Sequence, residues 1–149
     1  IIKLVNSPGW LQYIGNKDIH DEAAALQYIK NGPQKSYASN GFGLYLAESK
    51  SGNEPIGICG LIKRDGLEHV DIGFALLPEH TGKGYALEMA KATLLFANDK
   101  LGIKKLAAIT THDNQSSIRL LGKLGFQFVT TTRLHPEEDM LLLFETGIG

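Results

Sequence analysis

The chain has 149 residues, 43% of them hydrophobic and 21% charged, enough apolar material for one buried core and little room for a second. A formal charge of −1 and evenly scattered Lys and Arg exclude the basic footprint of a nucleic-acid binder, and no stretch has the length of a membrane-spanning helix. A single domain over 1–149 is expected, with a small molecule or a protein terminus as its partner.

The first third reads as helical. "NSPGWLQYIG" is a short amphipathic stretch, and "DIHDEAAALQYIKNG" carries acids at its start, apolar residues in its middle and Asn-Gly at its end, which predicts that the helix stops there. Next come "GFGLYLAES" and "PIGICGLIKR", joined by the turn signal "KSGNE" as an antiparallel hairpin, and "HVDIGFALLP", which Pro78 stops. Cys59 lies inside the second run; it has no partner for an internal disulfide and reads as a small buried hydrophobe in a reducing, cytoplasmic setting. In "EHTGKGYALEMAKATLLFA", Leu87, Ala90, Leu94, Ala97 and Leu101 recur at helical steps. The strand "IKKLAAITT" follows, then a helix "NQSSIRLLGKLG" with Asn114 or Asp113 as N-cap and Gly125 as its stop, and a closing hairpin of "FQFVTTTRL" and "DMLLLFETG" across "HPEE". This order predicts an α+β domain: a mixed, mostly antiparallel sheet with flanking helices and one central parallel crossover of strand, glycine turn, helix and strand.

The glycine turn carries the chemistry. A strand that runs through a glycine turn into a helix leaves the first helical N–H groups free, and these make an anion site. Gly82 and Gly84 allow close backbone approach and Lys83 adds a cation. The P-loop spacing is absent. The dinucleotide fingerprint needs a third glycine where Leu87 stands, although Asp113 occupies the place of a ribose-reading acid, so that reading stays second.

The segment Thr81-Gly82-Lys83-Gly84-Tyr85-Ala86 resembles the pattern Arg/Gln-x-x-Gly-x-Gly/Ala of the GNAT superfamily of N-acetyltransferases. "DIGFALLPEHTGKGYALE" and, about thirty residues on, "NQSSIRLLGKLGF" are similar to the core of that superfamily, in particular its RimJ/RimL type, the ribosomal-protein alanine acetyltransferases. The element order agrees from Asn6 to Phe144. The family pattern starts with one further strand, so the resemblance implies that a first strand is missing and the chain is truncated at its N-terminus.

The resemblance implies acetyl-CoA as co-substrate and an amine as acceptor. Backbone groups near Leu76 and Leu77 would hold the pantetheine, and Gly82, Lys83, Gly84, Tyr85 and Ala86 the pyrophosphate. Thr81 departs from the family's Arg or Gln and brings a hydroxyl without charge. Asn114 and Ser117 match the family's Asn-x-x-Ser. Ser117 is the candidate acid for the leaving sulfur, while ordinary helix-start chemistry explains both residues equally well. Strand alternation places Asp71 with Gly73, Ala75 and Leu77, opposite Val70, Ile72, Phe74 and Leu76. Asp71 stands where many family members have a base; a solvated strand-end charge paired with Lys or Arg is the competing reading, and Glu68 and His112 are substitutes.

An α-amine of pKa near 7.7–8.0 is roughly a tenth to a fifth neutral at pH 7, against about one lysine in 2,500, so a weak base suits an N-terminal α-amine. A small-molecule amine is the other acceptor class, and a coenzyme-binding module without catalysis is the competing function. Trp10, Tyr13 and Tyr37 come from the N-terminal helices, which by the resemblance cover the acceptor side, and Trp10 itself is expected in the core and not on the substrate. His20, His69, His80, His112 and His135 have no ligand spacing, so no metal is predicted. The state expected in solution is a monomer or homodimer.

Overall fold

The computed structural model describes residues 1–147. Four short helices lead: α1 (Ile2–Val5), α2 (Pro8–Tyr13), α3 (Glu22–Ile29) and α4 (Lys35–Asn40). They are followed by β1 (Leu44–Glu48), β2 (Pro55–Ile62), β3 (Asp71–Leu76), α5 (Tyr85–Asp99), β4 (Lys105–Thr110), α6 (Gln115–Lys123), β5 (Gln127–Thr132) and β6 (Leu141–Gly147). The six strands form one sheet in the order β1-β2-β3-β4-β6-β5. Every neighbouring pair is antiparallel except β3 and β4. The expected hairpins and the central crossover are therefore present.

The first third departs from expectation. Asn31-Gly32 does not end the third helix. The helical path widens into a π turn over Lys30–Gln34 that contains Pro33, and continues as α4 until Gly41 adopts a left-handed conformation, φ 76°. Proline lacks an N–H and its ring collides with the preceding turn of an α-helix; a wider turn absorbs both faults locally. Asp21 starts α3 by accepting a 2.8 Å hydrogen bond from the Ala24 N–H, a standard carboxylate cap.

Strand alternation divides the sheet into two faces. Ile72 and Leu106 pack with Ala90 and Ala97 of α5, Leu121 of α6 and Phe144 of β6 in the main core. On the other face, Ala75 and Leu77 pack with Ile58 against Leu4, Val5, Trp10, Ile19 and Ala25 of the N-terminal helices. Trp10 is buried there, as expected, with its indole N–H unpartnered among the described residues. Tyr37 of α4 stacks on Tyr45 at 5.0 Å and donates its hydroxyl hydrogen to the Leu44 carbonyl. Helix α6 ends at Leu124 and Gly125, with the Phe126 N–H on the Leu121 carbonyl and the Gly125 N–H on the Gly122 carbonyl. That paired closure satisfies two end carbonyls and directs Phe126 into the core beside Leu121.

Candidate active site

The parallel strands β3 and β4 meet at one registered pair, Asp71 with Ala107, where the Ala107 N–H donates to the Val70 carbonyl at 2.9 Å. Beyond it they pair no further. On its other side β3 is fully paired to β2, and the Leu77 N–H donates to Ile56. Antiparallel hydrogen bonding alternates, so Leu77, Ala75, Gly73 and Asp71 turn their backbone groups to β2. Phe74 and Leu76 turn theirs into the opening between β3 and β4. Leu77 is further engaged because its carbonyl accepts from the His80 N–H. Of the two residues expected at a pantetheine, Leu76 therefore has backbone groups free to meet one, and those of Leu77 are taken.

Both helix starts stand at the carboxyl ends of these parallel strands, the general location of ligand crevices in sheets of this kind. After β3, a single turn of 3-10 helix over Pro78–His80 leads into the glycines. Gly82 and Gly84 have φ of 73° and 84°, and a Cβ at either would meet nothing within 4 Å. The residues are thus glycine because the backbone is left-handed, where a side chain costs roughly 1–2 kcal/mol, and not because of crowding. They precede α5: Gly84 is its N-cap, so neither glycine weakens the helix interior. The first bond of α5 runs from the Glu88 N–H to the Gly84 carbonyl. This leaves the amides of Tyr85, Ala86 and Leu87 without intrahelical acceptors.

The neighbouring side chains have distinct tasks. The Thr81 hydroxyl donates to the Pro78 carbonyl at 2.8 Å and so serves the turn itself. Lys83 is exposed and makes no ion pair among the described residues. His80, absent from the sequence reading of the site, is buried beneath the turn with its ring edge-on to Tyr85 at 6.1 Å. Its Nε2 lies 3.5 Å from Glu54 without hydrogen-bond geometry.

At the second helix start, the Asn114 side chain accepts from the Ser117 N–H at 3.3 Å. Asn114 is therefore the N-cap of α6, Asp113 is not, and the Ser117 hydroxyl stays free of that bond. Just before it, the Thr111 hydroxyl is buried with no hydrogen-bond partner among the described residues. An unpaired strand edge and three free helix amides at one opening, with an orphaned hydroxyl just past the end of β4, fit a long, polar, anion-bearing ligand such as a coenzyme. Two open grooves of about 430 and 460 Å³ lie elsewhere, and none of these site residues lines them.

Asp71 sits at the foot of the opening and is 1% exposed. The Arg64 Nε–H lies 3.1 and 3.2 Å from its two carboxylate oxygens. The pairing with a cation agrees with one of the two readings of Asp71, but the group is buried and not solvated. Burial pushes its pKa up from 3.8 to about 6, against the opposing pull of Arg64. Arg64 had no sequence signal: it sits in the β2–β3 connection, seven residues before its partner. Glu68 and His112 are exposed, and neither makes a hydrogen bond or ion pair with Asp71 or Arg64 among the described residues. No group of His, Cys, Asp and Glu suited to a metal occurs among the described residues.

A family profile described as an acetyltransferase (GNAT) domain matches residues 1–127. The protein YkkB of Bacillus subtilis is 29% identical over 87% of this chain and 75% of its own length. The N-acetyltransferase YjdG of the same organism is 30% identical over 68% of this chain and 61% of its own. An acetyltransferase structure from Agrobacterium tumefaciens superposes with a TM-score of 0.73 at 21% identity, over 94% of this chain and 78% of that one. The ribosomal-protein-S5-alanine acetyltransferase of Vibrio fischeri gives 0.71 at 15%, over 87% and 73%. The spermidine N-acetyltransferase SpeG of Vibrio cholerae gives 0.65 at 18%, over 86% and 75%, and at these identities the structures speak for the fold alone. The strand opening, the glycine turn and the profile match agree, and the chain belongs to the GNAT acetyltransferase family.

Proposed function

We propose that this protein is an acetyl-CoA-dependent N-acetyltransferase whose acceptor is the α-amine of a protein or peptide N-terminus. The observation that carries the reading is the opening between β3 and β4 with two helix starts at its mouth. The Leu76 backbone meets the pantetheine; Gly82, Gly84 and the amides of Tyr85 and Ala86 receive the pyrophosphate, assisted by Lys83. Affinity rests on these amides and Lys83, because Thr81 is committed to Pro78. Bound there, acetyl-CoA supplies the acetyl group as a thioester.

The chain's own residues then manage protons. Asp71 takes the proton that the attacking amine sheds, and it does so through intervening water because a carboxylate 1% exposed meets no amine directly. With its pKa near 6 it is ionised at neutral pH and close enough to neutrality to be a useful base. Ser117 gives a proton to the departing sulfur from the first turn of α6. Asn114 fixes that turn, so its task is to position Ser117.

The two named neighbours act, by their names, on different acceptors, an alanine of ribosomal protein S5 in one and spermidine in the other. The larger neutral fraction of an α-amine at pH 7 decides in favour of the first. The test is thiol release from acetyl-CoA against peptides with free N-termini, spermidine, aminoglycosides and free amino acids. N-terminal peptides should be the preferred acceptors. Preference for polyamines would overturn the acceptor, and coenzyme binding without thiol release from any amine would overturn the enzyme.

A further inference from the structure

We propose that Arg64 is a positioning residue for the reaction: it holds the Asp71 carboxylate oriented and charged at the foot of the β3–β4 opening, acting only through Asp71. This rests on the reading of Asp71 as the proton acceptor.

The geometry supports it in three steps. Asp71 is the first residue of β3, lies opposite Ile62 of β2 and makes the single registered pair with β4. Its backbone is thereby fixed, and its side chain is sealed from solvent. A buried carboxylate without a partner is driven toward its neutral form and loses much of its use as a base near pH 7. Arg64 supplies the cation in contact with it, and its Nε–H spans both oxygens, which fixes the plane of the carboxylate as well as its charge. The Arg64 side chain is itself 34% exposed, so its own desolvation is modest and the cost of burial falls on Asp71.

Other charges near the pair do not replace it. Tyr28 of α3 lies in the field of Arg64 and is raised by its own burial. Glu145 of β6 shares the sheet face with Asp71 two strands away, and it is engaged by Lys105 at 2.9 Å and approached by His69 at 4.0 Å. Glu68 is exposed and lies 3.9 Å from His69.

The experiment compares the wild type with Arg64→Gln, Arg64→Lys and Asp71→Asn. Turnover is followed from pH 5 to 9 by thiol release, with an N-terminal alanyl peptide and spermidine as acceptors. In parallel, the Asp71 carboxyl is titrated by carbon NMR of aspartate-labelled protein, with its signal assigned by Asp71→Asn, a measurement that needs no acceptor. Arg64→Gln should move both the carboxyl titration and the acid limb of turnover upward by about one pH unit, roughly a fivefold loss at pH 6 with near-normal turnover at pH 9. Arg64→Lys should restore most of the shift, and near-normal turnover at pH 9 also shows that the variants fold. An unmoved titration, or a loss equal at every pH, overturns the role of Arg64. Wild-type turnover and pH profile in Asp71→Asn overturn the base itself, a result distinct from the first.

Discussion

Asp71 is the residue at which burial and charge compete most directly. Desolvation favours its neutral form, Arg64 favours the ionised form, and the balance leaves the pKa near 6 against 3.8 unfolded. In this chain the folded carboxyl holds its proton more tightly than the unfolded one. The stabilisation is therefore complete below pH 3.8 and is lost as pH rises through 6. Asp71→Asn keeps the shape and removes the titration. Chemical denaturation at pH 4 and pH 7 should show the wild type losing about 2 kcal/mol relative to Asp71→Asn over that interval. A constant difference between the two proteins across the interval would mean that the carboxyl is not desolvated. Neither the burial nor the Arg64 contact was legible beforehand, because alternation reports the face of a strand and not what the chain folds over that face. Alternation did place Asp71 with Gly73 and Ala75, since that needs only the strand period.

At the level of elements, the strands and the two long helices were legible because each announces itself locally: apolar runs between turn residues, or apolar steps of three and four. Ala90 and Ala97 are indeed buried, with Leu94 and Leu101 against the same core. The π turn through Pro33 was not legible, since Asn-Gly-Pro reads as a stop in any local rule and only packing carries the helix through it. The glycine turn was legible as the entry to a helix, whereas the left-handed backbone that explains both glycines and places them outside α5 was not. The start of α6 separates structure from chemistry. Ser117 contributes its N–H to the cap and keeps its hydroxyl free, while Asn114 contributes the capping oxygen. Asn114→Ala should therefore cost about 1 kcal/mol in urea unfolding. Ser117→Ala should leave stability within about 0.5 kcal/mol and lower turnover, and equal turnover in wild type and Ser117→Ala would remove the serine from the mechanism.

For the whole molecule, the main core joins residues from both sides of the opening: Leu61 and Ile72 from one, Leu106 and Phe144 from the other. The helices α5 and α6 bridge across them. A ligand in the opening binds the folded chain and not the unfolded one, so coenzyme A at a hundred times its Kd should raise stability by about 2.7 kcal/mol. Hydrogen exchange locates the effect: the Phe74 and Leu76 amides should exchange rapidly alone and slow down with coenzyme, while the Leu77 amide, already bonded to Ile56, should change little. Equal protection of all three on binding would place the ligand elsewhere.

The single pair Asp71–Ala107 makes this protein two half-sheets, β1-β2-β3 and β4-β6-β5, stitched at one point. Each half is zipped along its own length, and the seam between them depends on helices and core. A bound coenzyme would then be a building part of the fold as well as a reactant, lying in the seam and lending it hydrogen bonds. Release of the spent thiol would unlace that seam once per cycle, so turnover and the cohesion of the molecule's midline would be set by the same few backbone groups.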